Sequence, residues 1–177
     1  PRHHLLDTFD KNTTNAGELL MKYENDPELS LLKRSQTIYP DSPDNALIEG
    51  FHNKFPQRDY VIEFDCPEFT SLCPVTGQPD FATIKIAYIP DEKCLESKSL
   101  KLFLGSFRNV GMFHEEITNT ILEHIVNQIE PKWIRVLGVM NPRGGISIRV
   151  SAEYSKPSYK EAPPAWVYQD TTIRGLA

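Results

Sequence analysis

The sequence predicts an α+β protein with one four-stranded antiparallel sheet and two helices on one face of it. Two stretches of alternating apolar and polar side chains come first, two stretches with helical periodicity follow, and two more strand-like stretches come last. This order favours a sheet whose helices lie together on one face, because a parallel sheet needs strands and helices in alternation.

The first two strands are predicted at residues 59–66 and 82–89. The second has the sequence ATIKIAYI, so its isoleucines and its tyrosine fall on one face, as in a half-buried antiparallel strand. The segment between the two strands contains the sequence CPVTGQPD at residues 73–80. Its prolines and glycine predict a turn-rich loop.

Helical spacing marks the middle of the chain. Leucine and phenylalanine side chains at helical spacing favour a helix at residues 96–107, and the clearest apolar repeat predicts a second helix at residues 112–129. Strands at residues 133–140 and 146–154 flank the turn NPRGG at residues 141–145, which predicts a hairpin. Such a sheet has two open edges, so we expect it to pair with another subunit.

Composition and the positions of proline and glycine predict how the chain is organised. We expect an N-terminal extension at residues 1–55 with a short helix at residues 16–23, a catalytic domain at residues 56–156, and an irregular, proline-rich C-terminal tail at residues 157–177. The net charge of −5 disfavours a nucleic-acid groove. No apolar run approaches the ~20 residues of a membrane span, and no signal peptide is visible. With three cysteines a complete disulfide framework is ruled out, so a cytoplasmic protein is expected.

Cys73 and Asp80 stand at the two ends of the loop CPVTGQPD. Pro74 restricts Cys73 to an extended backbone, and a loop with fixed ends can bring both side chains into one pocket. A thiolate and a carboxyl group so placed could serve as nucleophile and proton donor, although a purely structural turn stays open. We interpret Cys66 and Cys94 as small apolar side chains, with Cys94 exposed in a polar loop.

Two further groups of residues suit a heterocyclic ligand that carries phosphates. Phe113 could stack on a purine-like ring whose N–H groups donate to Glu115. Lys98, Lys101 and Arg143 could bind phosphates, and the glycines after Arg143 would let the backbone approach closely. A structural interpretation stays open for each group: acidic residues favour a helix N-terminus, and basic runs are commonly solvated.

Four segments resemble one family in their order and spacing: FTSLCPVTGQPDFATI at residues 69–84, ESKSLKLFLGSFRN at 96–109, FHEE at 113–116 and NPRGGISI at 141–148. The family is that of the NADPH-dependent 7-cyano-7-deazaguanine reductases, the QueF-type nitrile reductases of queuosine biosynthesis, in the single-module form. The resemblance covers about residues 59–156. It implies the tunnelling fold, in which small antiparallel sheets of several subunits join into a β-barrel with active sites between subunits.

The resemblance also implies a covalent mechanism. Cys73 stands at the position of the nucleophile that adds to the nitrile carbon to form a thioimide, Asp80 at that of the general acid and base, and His114 at that of a catalytic histidine. Hydrides from two NADPH molecules would then give 7-aminomethyl-7-deazaguanine. An ordinary thiol has a pKa near ~8.5, so such a site must favour the thiolate of Cys73.

The remaining assignments follow from the same resemblance. The substrate-binding positions are Leu95, Glu96, Ser97, Phe113, His114 and Glu115. The NADPH-binding positions are Ser97, Lys98, Lys101, Arg143 and Gly144. No metal is implied, and Glu96 and Arg143 are expected to meet Cys73 across a subunit boundary.

Two rival functions remain at this point. The first is a zinc-dependent tunnelling-fold enzyme acting on a pterin or GTP, with Cys66, Cys73 and His114 as its three protein ligands. The sequence has no C-x-x-C or H-x-x-x-H pair to support it. The second rival is a purine-binding module without turnover, which would never consume NADPH.

Overall fold

The computed structural model describes residues 29–31 and 37–169 of the 177-residue chain. The helix expected at residues 16–23 lies outside the described residues, as do most of the N-terminal extension and the end of the C-terminal tail. Over the described ranges, no helix is long and apolar enough to cross a membrane.

The described chain contains two antiparallel sheets. The strands are β1 (Gly50–His52), β2 (Ile62–Leu72), β3 (Pro79–Ile89), β4 (Lys93–Leu95), β5 (Trp133–Met140) and β6 (Arg149–Ser155). The larger sheet has the order β2–β3–β5–β6, and the smaller one joins β1 to β4. The larger sheet confirms the predicted four-stranded antiparallel arrangement, and β2 and β6 form its two edges.

Both predicted helices are present. Helix α1 spans Ser97–Gly105 and continues into a 3-10 turn at Ser106–Asn109, and helix α2 spans His114–Ile129. The isoleucines of α2 and the phenylalanines that follow the start of α1 pack with alternate side chains of β3 and β5 into one buried core. Because strand side chains alternate between faces, the same alternation leaves the second face of the sheet for a smaller cluster around Trp133.

The loop after β2 is shorter than predicted. The backbone N–H of Cys73 donates to the carbonyl oxygen of Gln78 at 2.8 Å, which closes the loop after six residues. The ladder between β2 and β3 therefore resumes at Pro79, and Asp80 pairs with Ser71 as a strand residue. The position of Asp80 is consequently fixed by the sheet rather than by a loop.

The hairpin between β5 and β6 also differs from the prediction. Strand β6 begins at Arg149 instead of residue 146. Arg143 and Ile146 bond to each other through both backbone groups, at 3.1 and 2.9 Å, which folds residues 141–148 into a separate turn. Gly144 adopts a φ of 56° in this turn, a conformation that favours glycine.

The pairing of β1 with β4 was not predicted, since strands of three residues show no periodicity. This pairing corrects the interpretation of Cys94, which was expected in an exposed loop. Cys94 lies in β4 and is buried, and its Sγ is 3.5 Å from the Tyr60 hydroxyl. Its role as a small buried side chain is otherwise as expected.

A buried carboxylate ties the N-terminal extension to α1. Glu49 is only 3% exposed and accepts hydrogen bonds from the backbone N–H and the hydroxyl of Ser30, at 2.9 and 2.5 Å, and from the N–H of Leu31 at 3.1 Å. The backbone of Glu49 bonds to Glu96 and to the Ser99 hydroxyl. Glu49 therefore connects residues 30–31 with the residues that begin α1.

Replacing Glu49 by glutamine should destabilise the fold. One carboxylate oxygen becomes an NH₂ group that faces N–H donors, so buried donors lose their acceptor. We expect Glu49→Gln to lower the free energy of unfolding by about 1–3 kcal/mol in urea titrations. Glu123→Gln on the exposed side of α2 is the matched control and should stay within about 0.5 kcal/mol of the parent. Equal values for the two variants would contradict this account.

Candidate active site

Hydrogen-bond donors of the loop at residues 73–78 surround the thiol of Cys73. Gly77 adopts a φ of 68° and donates its N–H to the carbonyl oxygen of Cys73 at 2.9 Å, which curls the loop around the thiol. The Thr76 hydroxyl, followed by the backbone N–H groups of Thr76 and Val75, lowers the pKa of Cys73 to about 7. Hydrogen bonds to the charged form favour it, so a large part of this thiol is thiolate near neutral pH.

Cys66, the thiol on β2, has the opposite environment. Burial raises the pKa of Cys66 to about 11, and the neighbouring Asp65 carboxylate adds to the shift. Cys66 packs against the core instead of facing the loop. Thiolate chemistry therefore belongs to Cys73 and not to Cys66.

The pH dependence of alkylation tests this arrangement. Because the pKa of Cys73 is lowered to about 7, its reaction with iodoacetamide should reach half its limiting rate near that pH. Thr76→Val removes the largest stabilising contact, so the midpoint should move upward toward the ordinary value near ~8.5. The rates are measured by mass spectrometry in a Cys66→Ala background, since both cysteines fall in one tryptic peptide. An unchanged midpoint in Thr76→Val would refute the role of the hydroxyl.

Asp80 lies beside a cation and an imidazole. Its side chain is almost entirely buried, and Arg143 Nε is 2.8 Å from Oδ1 while His114 Nε2 is 3.6 Å from Oδ2. Arg143 also donates through Nη2 to the Pro79 carbonyl oxygen at 2.8 Å and contributes to the lowered pKa of Cys73. One guanidinium group therefore serves both the thiolate and the carboxylate.

The position of Arg143 corrects one expectation. Arg143 was expected to meet Cys73 across a subunit boundary, but it contacts Asp80 and the end of the Cys73 loop within its own chain. The separate turn at residues 141–148 explains this, because it folds back over the start of β3 instead of extending the hairpin.

Backbone hydrogen bonds connect the residues just before α2 to the end of β2. Leu72 accepts from the N–H of Met112 at 3.1 Å and donates to the carbonyl oxygen of Val110 at 3.0 Å. Gly111 lies so close to Pro74 that an added Cβ would be 3.1 Å from its Cα, so a side chain there would push the loop away. These contacts bring the first residues of α2 next to Cys73.

Three predicted substrate residues stand at this helix start. Phe113 is the N-cap of α2 and is 58% exposed, which is unusual for a phenylalanine and leaves its ring free to stack on a ligand. His114 faces Asp80, and Glu115 is exposed in the first turn. An aromatic ring beside a carboxylate suits a planar heterocycle with N–H donors.

The other predicted residues lie around the start of α1. Glu96 is buried and caps the helix, since its two carboxylate oxygens accept from the N–H groups of Lys98 and Ser99 at 2.8 and 2.7 Å. Leu95, the residue before Glu96 in the sequence, is buried, whereas Ser97, the residue after it, is exposed. Lys98 directs its Nζ to the carbonyl oxygen of Leu31 at 2.6 Å.

A cavity of about 310 Å³ adjoins this second group. Ser97 and Lys101 line it together with Tyr39, Glu68 and Arg108, whereas Cys73, Asp80 and His114 are not part of its lining. Lys101 and Arg108 give it two cationic side chains whose N–H donors suit phosphate oxygens, and Asp65 and Glu68 add two carboxylates to the same lining. The predicted residues thus fall into two groups within one chain. One group surrounds Cys73 and the other surrounds the start of α1.

The rival zinc site is not assembled. Within residues 29–31 and 37–169, no three side chains of His, Cys, Asp or Glu are arranged to hold a metal ion. The proposed ligands Cys66, Cys73 and His114 instead face the core, the loop donors and Asp80, respectively.

Comparison with known proteins shows which family the chain belongs to. The sequence model described as QueF-like protein matches residues 79–159. The chain is 53% identical over 133 residues to the NADPH-dependent 7-cyano-7-deazaguanine reductase of Bacteroides fragilis, a match that covers 75% of this chain and 87% of the relative. It is 51% identical over 140 residues to the reductase of that name from Streptococcus mutans, a match that covers 79% of this chain and 86% of that relative. The chain belongs to the family of NADPH-dependent 7-cyano-7-deazaguanine reductases.

A solved structure agrees with the fold of this reductase family member. The crystal structure of the archaeosine synthase QueF-Like in the apo form matches with a TM-score of 0.51 at 23% identity, covering 54% of this chain and 94% of that one. At this identity the likeness concerns the fold alone. The predicted α+β fold of the chain and the family resemblance are both confirmed, and the joining of several subunits into a β-barrel stays a prediction.

Sequence reasoning missed two contributors to the geometry of the reductase site. Thr76 supplies the largest contact that lowers the pKa of Cys73, and a hydroxyl residue three positions after a cysteine in a glycine-containing turn could have signalled it. Glu49 connects the extension to the residues around Glu96, and no local pattern marks this long-range contact.

Proposed function

We propose that the chain reduces 7-cyano-7-deazaguanine to 7-aminomethyl-7-deazaguanine with two NADPH, a reaction of queuosine biosynthesis. The observation that carries the proposal is the pairing of Cys73, whose pKa is lowered to about 7, with the buried carboxyl group of Asp80 through Arg143. Membership in a family of reductases of this name supplies the substrate and the reductant.

The first step joins the thiolate to the substrate. The Cys73 sulfur adds to the nitrile carbon and the C≡N bond becomes C=N. Asp80 enters this step as the neutral carboxylic acid, delivers its proton to the nitrogen and leaves as a carboxylate beside Arg143, so a neutral thioimide forms without a leaving group. The hydrogen bonds from Thr76 and Val75 keep the sulfur ionised until it attacks. Arg143 orients the Asp80 carboxyl toward the same point.

Two reductions complete the reaction. NADPH, when bound, supplies a hydride to each carbon–nitrogen double bond in turn. Between the two reductions the nitrogen is protonated, the C–S bond breaks and the Cys73 thiolate is restored. The residues of this chain that suit NADPH are Ser97, Lys98 and Lys101 at the start of α1 and Arg143 with Gly144 in the turn at residues 141–148. Lys101 and Arg108 supply the cavity of about 310 Å³ with N–H donors for phosphate oxygens, although the carboxylates of Asp65 and Glu68 also line it.

The purine-like ring has a matching set of groups. Phe113 offers an exposed ring for stacking, and Glu115 offers a carboxylate for the N–H donors of the ligand edge. Glu96 retains unused lone pairs after capping α1, since a carboxylate has about four acceptor positions. Leu95, Ser97 and His114 complete the proposed substrate contacts.

We further propose that two subunits build each site. The Leu95–Lys101 region and the Cys73 loop form separate groups within one chain, and the edge strands β2 and β6 expose unpaired backbone groups. A homo-oligomer with a joined barrel would bring the α1 group of one subunit to the Cys73 loop of the next. A reactive thiolate requires a reducing compartment, which favours the cytoplasm.

The stoichiometry of NADPH oxidation tests the proposed function. Limiting 7-cyano-7-deazaguanine is mixed with enzyme and excess NADPH, and absorbance loss is compared with the product determined by chromatography. Two NADPH oxidised per aminomethyl product are expected. Binding of the nitrile without any NADPH oxidation would overturn the proposal and leave a purine-binding module.

A further inference from the structure

Ser71 has a buried hydroxyl without a partner. It is 1% exposed, and in the described part of the chain its Oγ is the one buried side-chain nitrogen or oxygen atom that makes no hydrogen bond. The other buried serines of that part are satisfied, since Ser99 donates to the Glu96 carbonyl oxygen at 2.8 Å and Ser106 to that of Phe103 at 2.5 Å. A buried hydroxyl left unpaired costs free energy and calls for an explanation.

The register of the sheet directs this hydroxyl to the active site. Ser71 on β2 is paired directly with Asp80 on β3. Directly opposed residues point to the same face, with Cβ atoms about 4.5–5.5 Å apart. Cys73 follows two positions later, at the start of the loop that the hydrogen bond from its N–H to Gln78 closes beside the last pair of this ladder. The register therefore puts the Ser71 and Asp80 side chains next to each other on one face of the sheet.

The two side chains that contact Asp80 come from outside the sheet. Arg143 contacts Oδ1 from the turn at residues 141–148, and His114 contacts Oδ2 from α2. A donor on β2, the strand paired with β3, would add a contact from within the sheet that carries Asp80.

We propose that Ser71 is a positioning residue for Asp80. When the substrate fills the site, the Ser71 hydroxyl donates a hydrogen bond to the Asp80 carboxyl group, directly or through one water, and keeps it aimed at the nitrile nitrogen. Ser71 gives up no proton in the reaction. The role rests on the proposed function, because the nitrile nitrogen is what Asp80 must reach.

A pair of matched variants separates this role from a structural one. Ser71→Ala removes a hydroxyl that makes no bond in the free protein, so Tm should stay equal or rise. Its kcat should fall about tenfold, as for loss of one productive hydrogen bond, with KM for the nitrile within about twofold. Ser106→Ala removes an equally buried hydroxyl that is bonded, away from Asp80. It should lower Tm and leave kcat unchanged.

The thioimide on Cys73 should give a new absorbance band when enzyme and nitrile are mixed without NADPH. The rate at which this band appears gives a second readout. It should be slower in Ser71→Ala by the same factor as kcat, because Asp80 protonates the nitrogen in that step. An unchanged kcat and band rate in Ser71→Ala, with an active parent enzyme, would overturn the role of Ser71 alone. A fall in Tm together with a raised KM would also overturn it, since that pattern marks a structural residue. A parent enzyme that never oxidises NADPH would overturn the proposed function itself.

Discussion

Cys73→Ala is expected to abolish NADPH oxidation in the presence of 7-cyano-7-deazaguanine. Without the sulfur nucleophile no thioimide forms, and the nitrile itself is a poor hydride acceptor. By analogy with the removal of other covalent nucleophiles, the loss should be at least about 10⁴-fold in kcat. Because the thiol lies in a solvent-accessible loop, the variant should keep the Tm of the parent. Steady-state absorbance and thermal unfolding measure the two quantities.

Cys66→Ala is the matched control for this variant. It removes a thiol from β2, seven residues before Cys73, where burial keeps the group protonated with a pKa of about 11. We expect kcat within about twofold of the parent and a modest loss of stability from the small cavity. If Cys66→Ala were as inactive as Cys73→Ala and both lost a bound metal ion, the zinc-enzyme interpretation would replace the present one.

Asp80→Asn is expected to have the second largest effect. The amide keeps the shape of the side chain but delivers no proton to the nitrile nitrogen, so kcat should fall by about 10²–10⁴-fold. The ion pair with Arg143 is lost, yet Arg143 is 40% exposed and can be solvated, so the fold should be retained. Stopped-flow absorbance should show that thioimide formation slows with turnover while nitrile binding persists.

A second aspartate provides the comparison for Asp80. Asp59 precedes β2, is exposed and lies 2.7 Å from Lys132 in an ion pair at the protein surface. It is not part of the lining of the cavity of about 310 Å³. Asp59→Asn should change neither kcat nor the rate of thioimide formation, because surface pairs of this kind contribute little. Activity in Asp80→Asn equal to that in Asp59→Asn would show that Asp80 is not the proton donor.

The larger elements of the fold were predictable because their periodicity is strong. Helix α2 has apolar side chains at every turn, and β3 alternates over most of its length before its last four residues, which are all buried, so both were placed within a few residues. The strands β1 and β4 were missed because three residues carry no period. Because the pairing of β1 with β4 was missed, Cys94 was wrongly predicted to be exposed, whereas this pairing buries it.

The active site was predictable in its residues but not in its contacts. Cys73 and Asp80 could be proposed from loop chemistry, and the family resemblance gave each a role. That Asp80 is a strand residue follows from the hydrogen bond that closes the loop at Gln78. The contact of Arg143 with Asp80 depends on the turn at residues 141–148, which bends back instead of extending the hairpin. Contacts between distant segments of this kind leave no local pattern in a single sequence.

The central claim is that Cys73 forms a covalent bond to the nitrile before any hydride is transferred. Native mass spectrometry of the enzyme mixed with 7-cyano-7-deazaguanine, without NADPH, tests it directly. Because thiolate addition has no leaving group, each chain should gain the full mass of the nitrile, the gain should be absent in Cys73→Ala, and an absorbance band should appear in parallel. Full NADPH-dependent reduction by an enzyme that shows no such adduct would contradict covalent catalysis by Cys73.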